Sequence, residues 1–401
     1  MRRLIRDDYV QSIESCIEWI RRNMITFNNG FNGIYERIRI DKNIRTNWVR
    51  PDCNAEIARV LALLPKLDGS SRLAYLFSNI ADWLLKVQDN DQLSAWYGSF
   101  PFYLVDGYKD VPVINCLGPI FQNDNGKVLV ALVHLYRETN DQRFLTSAVK
   151  LGDFWVGIQR SEGWFARKDG RVMEFFQGSC FTLWLATGLT MLWKETGCRK
   201  YDEAAGRAYS YVLSLLLDNG RMKTSYELCK TEDWRPVSSE TAIALYAFSV
   251  ALVESGEDRF VDPIQKTAAF VLALQDKSGG IVNCNNASKD FSLQSNEDIC
   301  DLVYTQGYAL MALAQAWKAT GSGVYRAAAV KLANFLVQIQ CRGESELWDG
   351  GWRGSYNVKA LQWEGKADQN NPIDEGGMYS VYTGWCAAPI MYGMLLLMER
   401  G

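Results

Sequence analysis

A chain that repeats one short pattern six times has few folds open to it. Five segments align without a gap: LDGSSRLAYLFSNIADWLLKVQ, ETNDQRFLTSAVKLGDFWVGIQ, ETGCRKYDEAAGRAYSYVLSLL, ESGEDRFVDPIQKTAAFVLALQ and ATGSGVYRAAAVKLANFLVQIQ. Gln88, Gln159, Gln275 and Gln340 end four of them, and Leu216 ends the third. Five residues before each end stands an aromatic: Trp83, Phe154, Tyr211, Phe270 or Phe335. The N-terminal YVQSIESCIEWIRRNM supplies a sixth, with Trp19 five residues before Met24. Apolar and polar residues alternate in these segments at helical spacing, which predicts helices with one face on a core. A repeat that cannot bury its own apolar face must stack on its neighbours.

Each of these segments follows a second apolar stretch across a short turn such as ETG, ESG or ATG. The partners begin near Cys53, Asn125, Gly178, Glu240, Gln306 and Thr383, and include IARVLALL, KVLVALVHLY and WCAAPIMYGMLLLM. They are apolar over most of their circumference and are expected to be buried on nearly all sides. Twelve helices in six hairpins, with no convincing run of β pattern, predict an all-α (α/α)6 toroid: an inner ring inside an outer one. One domain spanning 1–401 is expected, with the N-terminal helix packing on the C-terminal helix to close the ring. Inner-to-outer turns are a few residues long, whereas outer-to-inner connections are long, as in DNDQLSAWYGSFPFYLVDGYKDVPVINCLGPIFQND. Long connections are where function usually sits. All six fall on the face where inner helices begin, so a funnel with the active site is expected there.

Composition removes several alternatives. A formal net charge of −3, with both signs interspersed, gives no basic stripe for nucleic acid. No window holds about 18 uninterrupted apolar residues, so no membrane span is expected. Ten cysteines without a CxxC pair read as small buried apolar groups, and a reducing cytoplasm is the expected compartment. The single histidine, His134, lies deep in an inner helix and can build neither a histidine-based triad nor a multi-histidine zinc site. Phosphate-loop and dinucleotide fingerprints are absent, so neither cofactor nor metal is expected.

Six helix N-termini converging on one cavity present unpaired N–H groups and positive dipole ends. The residues at these starts are Asp52 and Glu56; Gln122, Asn123 and Asp124; Gln177; Glu240; Asp298, Asp301 and Gln306; and Asp374, Glu375, Tyr379 and Tyr382. Capping alone puts Asp, Asn and Glu at helix starts. Several carboxylates aimed at one cavity point to chemistry as well. Mouth loops also carry Trp48, Trp96, Tyr97, Phe100, Phe102, Tyr103, Trp164, Trp234, Trp348, Trp352, Tyr356 and Trp363, which suit pyranose stacking or the plugging of the ring. Carboxylates beside aromatic walls suit an enzyme that protonates a glycosidic oxygen. The candidate acids and bases are Asp52, Asp124, Glu240 and Asp301, with Asp52 opposite Glu240 and Asp124 opposite Asp301 in a six-fold ring. Trp48, Arg50, Trp96, Tyr97, Gln122, Asn123, Tyr304, Trp352, Glu375, Tyr379 and Tyr382 are the expected contacts to a carbohydrate substrate. The dipoles and scattered arginines suit an acidic sugar.

The pattern TG…Y..AA.K…FL…Q followed by GGW or GGI resembles the six-hairpin glycosidase superfamily over nearly the whole chain. That resemblance implies a carbohydrate-active site at the mouth, with Asp or Glu as general acid and base. Epimerases of the N-acylglucosamine type share the barrel and, as the resemblance implies, rely on paired histidines, which this chain lacks. A polysaccharide lyase is the leading alternative to a hydrolase, with Tyr304, Tyr379 or Tyr382 as base and Arg50 or Arg353 facing the uronate. Gln159-Arg-Ser-Glu-Gly-Trp164 and DGGW (349–352) also look like the repeats of terpene cyclases and prenyltransferases, another family of α/α toroids. No DxDD acid motif accompanies them, and one histidine cannot complete a prenyltransferase zinc site. A toroid that only binds glycans would leave the carboxylates without a use.

Overall fold

A computed structural model of the chain describes residues 2–26, 33–65, 73–105, 120–165, 179–224, 228, 237–283, 298–364 and 377–399. Twelve α-helices lie among the described residues: α1 (Arg2–Asn23), α2 (Pro51–Leu63), α3 (Ala74–Val87), α4 (Gln122–Thr139), α5 (Gln142–Gly157) and α6 (Ser179–Thr196), then α7 (Arg199–Leu213), α8 (Val237–Ser255), α9 (Val261–Ala273), α10 (Gly307–Thr320), α11 (Gly323–Ile339) and α12 (Ala388–Met398). The chain divides into two compact units, one of Ile25–Glu36 and Asn47–Leu215, the other of Met1–Met24, Arg37–Thr46 and Leu216–Gly401. Each holds three hairpins. The first contains α2–α3, α4–α5 and α6–α7; the second contains α8–α9, α10–α11, and α12 with α1. In the second unit α1 packs on α11 and α12, and the Tyr9 hydroxyl donates to Asn334 Oδ1 at 2.9 Å.

Two layers follow from two kinds of sequence. Every residue of α2 except Ala62 is buried, whereas α3 buries only Leu76, Ile80, Ala81, Trp83, Leu84 and Val87, the spacing of one helical face. Neighbouring buried helices touch closely. A Cβ on Gly126 of α4 would lie 2.7 Å from the Leu185 nitrogen of α6, so a larger residue there would push the helices apart.

The terminal glutamines of the repeats have a structural role. Gln88 Nε2 donates at 2.9 Å to the carbonyls of Gly98, in the following turn, and of Ser147, in the next amphipathic helix α5. Gln159 makes the same pair of bonds to Gly163 and Ala204, Gln275 to Gly279 and Ala328, and Gln340 to Gly350 and Ser12. These turn glycines sit at positive φ against a helix backbone; a Cβ on Gly98 would stand 2.3 Å from the Lys150 oxygen. The repeated aromatics close over the same turns, with Tyr211 and Trp19 Cβ atoms about 3 Å from where Gly163 and Gly350 would carry theirs. Only a carboxamide can donate to two carbonyls while its oxygen accepts, as Gln88 does from the Ser147 hydroxyl. Gln88→Glu removes both donors and leaves a buried carboxylate against two carbonyls. It is expected to cost about 3 kcal/mol in urea unfolding near neutrality, and less in acid where the new carboxyl is protonated.

Short strands, absent from the sequence expectation, line the long connections. β1 (Arg37–Arg39) pairs with β2 (Ile44–Arg45) and β8 (Ser380–Tyr382); β3 (Trp48–Val49) pairs with β4 (Leu104–Val105); and β6 (Ser355–Asn357) joins β5 (Ile299–Asp301) to β7 (Gln362–Trp363). All are antiparallel and two or three residues long, too short to show an alternating pattern. After β5 and β8 the chain makes a five-residue π-turn, Leu302–Gln306 or Thr383–Ala387, before α10 and α12 begin. No helix among the described residues is long and apolar enough to cross a membrane.

Candidate active site

The first unit gathers three carboxylates around one guanidinium. Arg50 is the last extended residue before α2, and Pro51, with no N–H to leave unpaired, opens the helix. Arg50 Nη1 donates to Glu36 Oε1 at 2.8 Å, while Nη2 reaches Asp52 Oδ2 at 3.2 Å and Asp124 Oδ2 at 2.7 Å. Asp52 lies in the first turn of α2 and Asp124 in the first turn of α4, so the packing of two buried helices brings them to one cation. The Phe102 ring lies 4.3 Å from Arg50 Cζ and closes the other side of the guanidinium. Trp48 stacks on Tyr103 with ring centroids 4.9 Å apart, and both remain half-buried on the β3–β4 ribbon and its approach.

Burial favours a proton on Asp124, and the cations beside it, Arg50 and Lys127, oppose that. Burial pushes the Asp124 carboxyl up to about 7; Arg50 opposes this and Asp52 adds to it. Burial opposes the charge on Arg50, but Asp124, Asp52 and Glu36 together hold its pKa well above the ordinary value. The Asp52 side chain has no exposed surface, whereas that of Asp124 keeps 7%, so the second is the better placed to meet a ligand directly. One turn deeper, Lys127 Nζ lies 3.5 Å from Glu56 Oε2, and burial lifts Glu56 to about 7 against the pull of Lys127 and Arg59. Cys53 is fully buried and its thiol is pushed far up, first by burial and then by Asp52, which leaves it a packing residue.

These shifts have a measurable consequence. Asp124 and Glu56 bind protons more tightly in the folded chain than in the unfolded one. Their contribution to stability is complete below the ordinary carboxylate range and is lost as pH rises through about 7. Unfolding free energy is therefore expected to fall between about pH 4 and pH 7, by up to ~4 kcal/mol per group. Asp124→Asn should flatten part of that slope.

The other expected site residues separate. Asn123 lies beside Asp124, with Nδ2 3.4 Å from its Oδ1; the Asn123 oxygen is buried and has no partner among the described residues. Gln122 is buried at the first position of α4. Trp96 and Tyr97 instead lie against α5: Trp96 packs on Phe154, and Lys150 Nζ stands 5.8 Å from the Tyr97 ring. They sit there because their turn is clamped to that helix through Gly98. In the second unit, Glu240 is buried in the first turn of α8. Asp301 is not disposed as a catalyst: its oxygens accept from the Val303 and Tyr304 amides and the Thr305 hydroxyl, capping the helix start without exposed surface. Trp352 is likewise a core residue, fully buried, with its indole nitrogen donating to the Leu336 carbonyl. Tyr304 is half-buried, edge-on to Trp385, and Tyr379 is exposed. The Tyr382 hydroxyl accepts from Arg37 Nη1. Glu375, with Gln177, Trp234 and Asp374, lies outside the described residues.

Glu36 is the cluster member that sequence reasoning missed. A signal for it exists: Gly33-Ile34-Tyr35-Glu36 parallels Gly280-Ile281-Val282-Asn283 at the same point of another repeat.

No known protein-family profile matches the chain, and no curated protein matches it. Among solved structures it is similar to a sugar epimerase from a ruminal bacterium, with TM-score 0.75, 12% identity and 99% of each chain covered. The GH76 α-mannanase of Bacteroides thetaiotaomicron aligns with TM-score 0.64 and 13% identity over 96% of this chain and 95% of that one. An unsaturated glucuronyl hydrolase specific for heparin aligns with TM-score 0.65 and 12% identity over 98% and 95%. The fold is the (α/α)6 toroid. It is the fold of the six-hairpin glycosidase superfamily, and at these identities the likeness is one of fold. In this toroid, as in its neighbours, the reaction must be argued from the site itself.

Proposed function

We propose that the protein is a glycoside hydrolase in which Asp124 protonates the glycosidic oxygen. The observation that carries this reading is a buried carboxyl whose pKa is lifted to about 7, which retains exposed surface at the start of α4. A general acid needs a proton near working pH and contact with the substrate, and Asp124 is placed for both. Asp52 acts behind it as a positioning residue, orienting Arg50 and raising the proton affinity of Asp124. Glu36, whose side chain keeps 5% exposure, is the second carboxylate with surface to offer. The stacked Trp48–Tyr103 pair supplies the apolar wall that a pyranose face needs. The names of the similar structures, an epimerase, a mannanase and a glucuronyl hydrolase, support a sugar as substrate. His134 lies twelve residues beyond the first of α4, about 18 Å along the helix, so histidine-based epimerisation has no residue near Asp124.

One observation favours the lyase reading. A phenol oxygen that accepts from a guanidinium, as Tyr382 does from Arg37, is suited to becoming a phenolate base. A panel of cellobiose, mannotriose and heparin-derived oligosaccharides separates the two by product mass and ultraviolet absorbance. Hydrolysis adds water to the products. An absorbing unsaturated uronate made from an intact uronate chain would remove the hydrolase reading.

A further inference from the structure

Asn283 is a buried side chain with no bonding partner among the described residues. Its residue is 2% exposed, and neither its carboxamide nitrogen nor its oxygen has a partner among the described residues. Leaving both halves of a buried amide unsatisfied is costly, and folded proteins almost always avoid it. Such a group calls for a reason.

Its place in the repeat supplies one. Ile281 N–H donates to Gln306 Oε1 at 2.8 Å, just as Ile34 N–H donates to Asn54 Oδ1 at 2.7 Å. Two residues on, Asn283 N–H donates to the Ile299 carbonyl and Glu36 N–H to the Trp48 carbonyl, both at 2.9 Å. Trp48 and Ile299 each stand three residues before their helix starts, at Pro51 and at Leu302. Asn283 therefore holds, in its own repeat, the position that Glu36 holds in the carboxylate cluster. The residues they would meet differ. Glu36 finds Arg50 at the last position before its helix, whereas Asn283 has Asp301 there, whose oxygens already cap the π-turn.

We infer that Asn283 is a ligand-binding residue, contacting the hydroxyls of a saccharide from beside β5, ahead of the π-turn that leads into α10. The inference rests on the carbohydrate reading above and adds a contact in the second unit. A carboxamide donates and accepts at once, as does a sugar hydroxyl, so an adjacent hydroxyl pair can satisfy both its halves. Among the described residues the amide is unsatisfied, and the ligand relieves it. This is the pattern of a site that trades stability for binding.

The test is Asn283→Leu, with Asn283→Ala beside it in case leucine overpacks. Thermal unfolding is read for each, together with calorimetric binding of cellobiose, mannotriose and a heparin-derived disaccharide. At least one variant is expected to melt roughly 1–4 °C above the parent. Both are expected to bind the best saccharide of the panel at least tenfold more weakly. If both variants melt below the parent, the chain itself satisfies the amide and the inference falls. It falls equally if affinity stays within twofold of the parent, or if no saccharide of the panel binds the parent at all. Asp124→Asn separates the two claims. Full turnover in that variant removes the hydrolase reading and leaves Asn283 to its own binding result.

Discussion

Asp124→Asn is expected to cut glycosidic-bond cleavage about a thousandfold while leaving the chain folded, because proton donation contributes on that order and asparagine has no proton to give. The amide is nearly isosteric, and its oxygen can still accept from Arg50 Nη2, which now reaches Asp124 at 2.7 Å. Activity and stability should therefore move in opposite directions at pH 8, since the variant no longer carries an anion that burial disfavours. In the parent, cleavage should decline as pH rises through about 7, where Asp124 loses its proton. Retained turnover in the variant, or a rate that climbs steadily to pH 9 (about two units above that point), would place the acid elsewhere.

Arg50→Met is expected to have the largest effect on folding. It leaves Glu36, Asp52 and Asp124 buried together without the cation that all three contact. Breaking a buried charge pair costs about 3–5 kcal/mol, and here one substitution breaks three contacts. Much of the loss should be recovered in mild acid, where the carboxyls take up protons, so denaturation midpoints of parent and variant should converge as pH falls. Arg50→Lys should be intermediate. A single ammonium cannot present separate nitrogens to Glu36 and to the aspartates, nor lie flat on Phe102. A variant equally destabilised at every pH would mean that lost packing, not lost charge, is the cause.

The architecture was legible because helices write their period into sequence. Apolar spacing identified both layers, and the recurring aromatic, followed by Gln in four of the six repeats, marked where the amphipathic helices stop. The meaning of Gln88 was not legible: its partners, Gly98 and Ser147, are ten and 59 residues away, and no local pattern announces a bond between them. At the site, Asp52, Asp124 and Arg50 were visible as residues at helix starts, and the packing of α2 on α4 determined that they meet. Asp301 and Trp352 misled for opposite reasons. A capping aspartate and a catalytic one look alike at a helix start, and a tryptophan after two glycines reads as loop although its ring fills the core. Glu36 escaped because a two-residue match between Gly-Ile-Tyr-Glu and Gly-Ile-Val-Asn carries weight only once both backbones are seen to take the same path.

A guanidinium outnumbered by the carboxylates it holds behaves as a small buffer, and that bears on what the site will accept. A neutral sugar leaves the proton count of the group nearly unchanged. A uronate brings a fourth anion and tightens the hold on every proton already there, so it enters most readily in company with one. Its affinity would then weaken by as much as tenfold for each pH unit above about 7, while that of a neutral sugar stayed level. On that reading the proton on Asp124 is a co-ligand, and the acidity of the medium becomes part of the selectivity of the site.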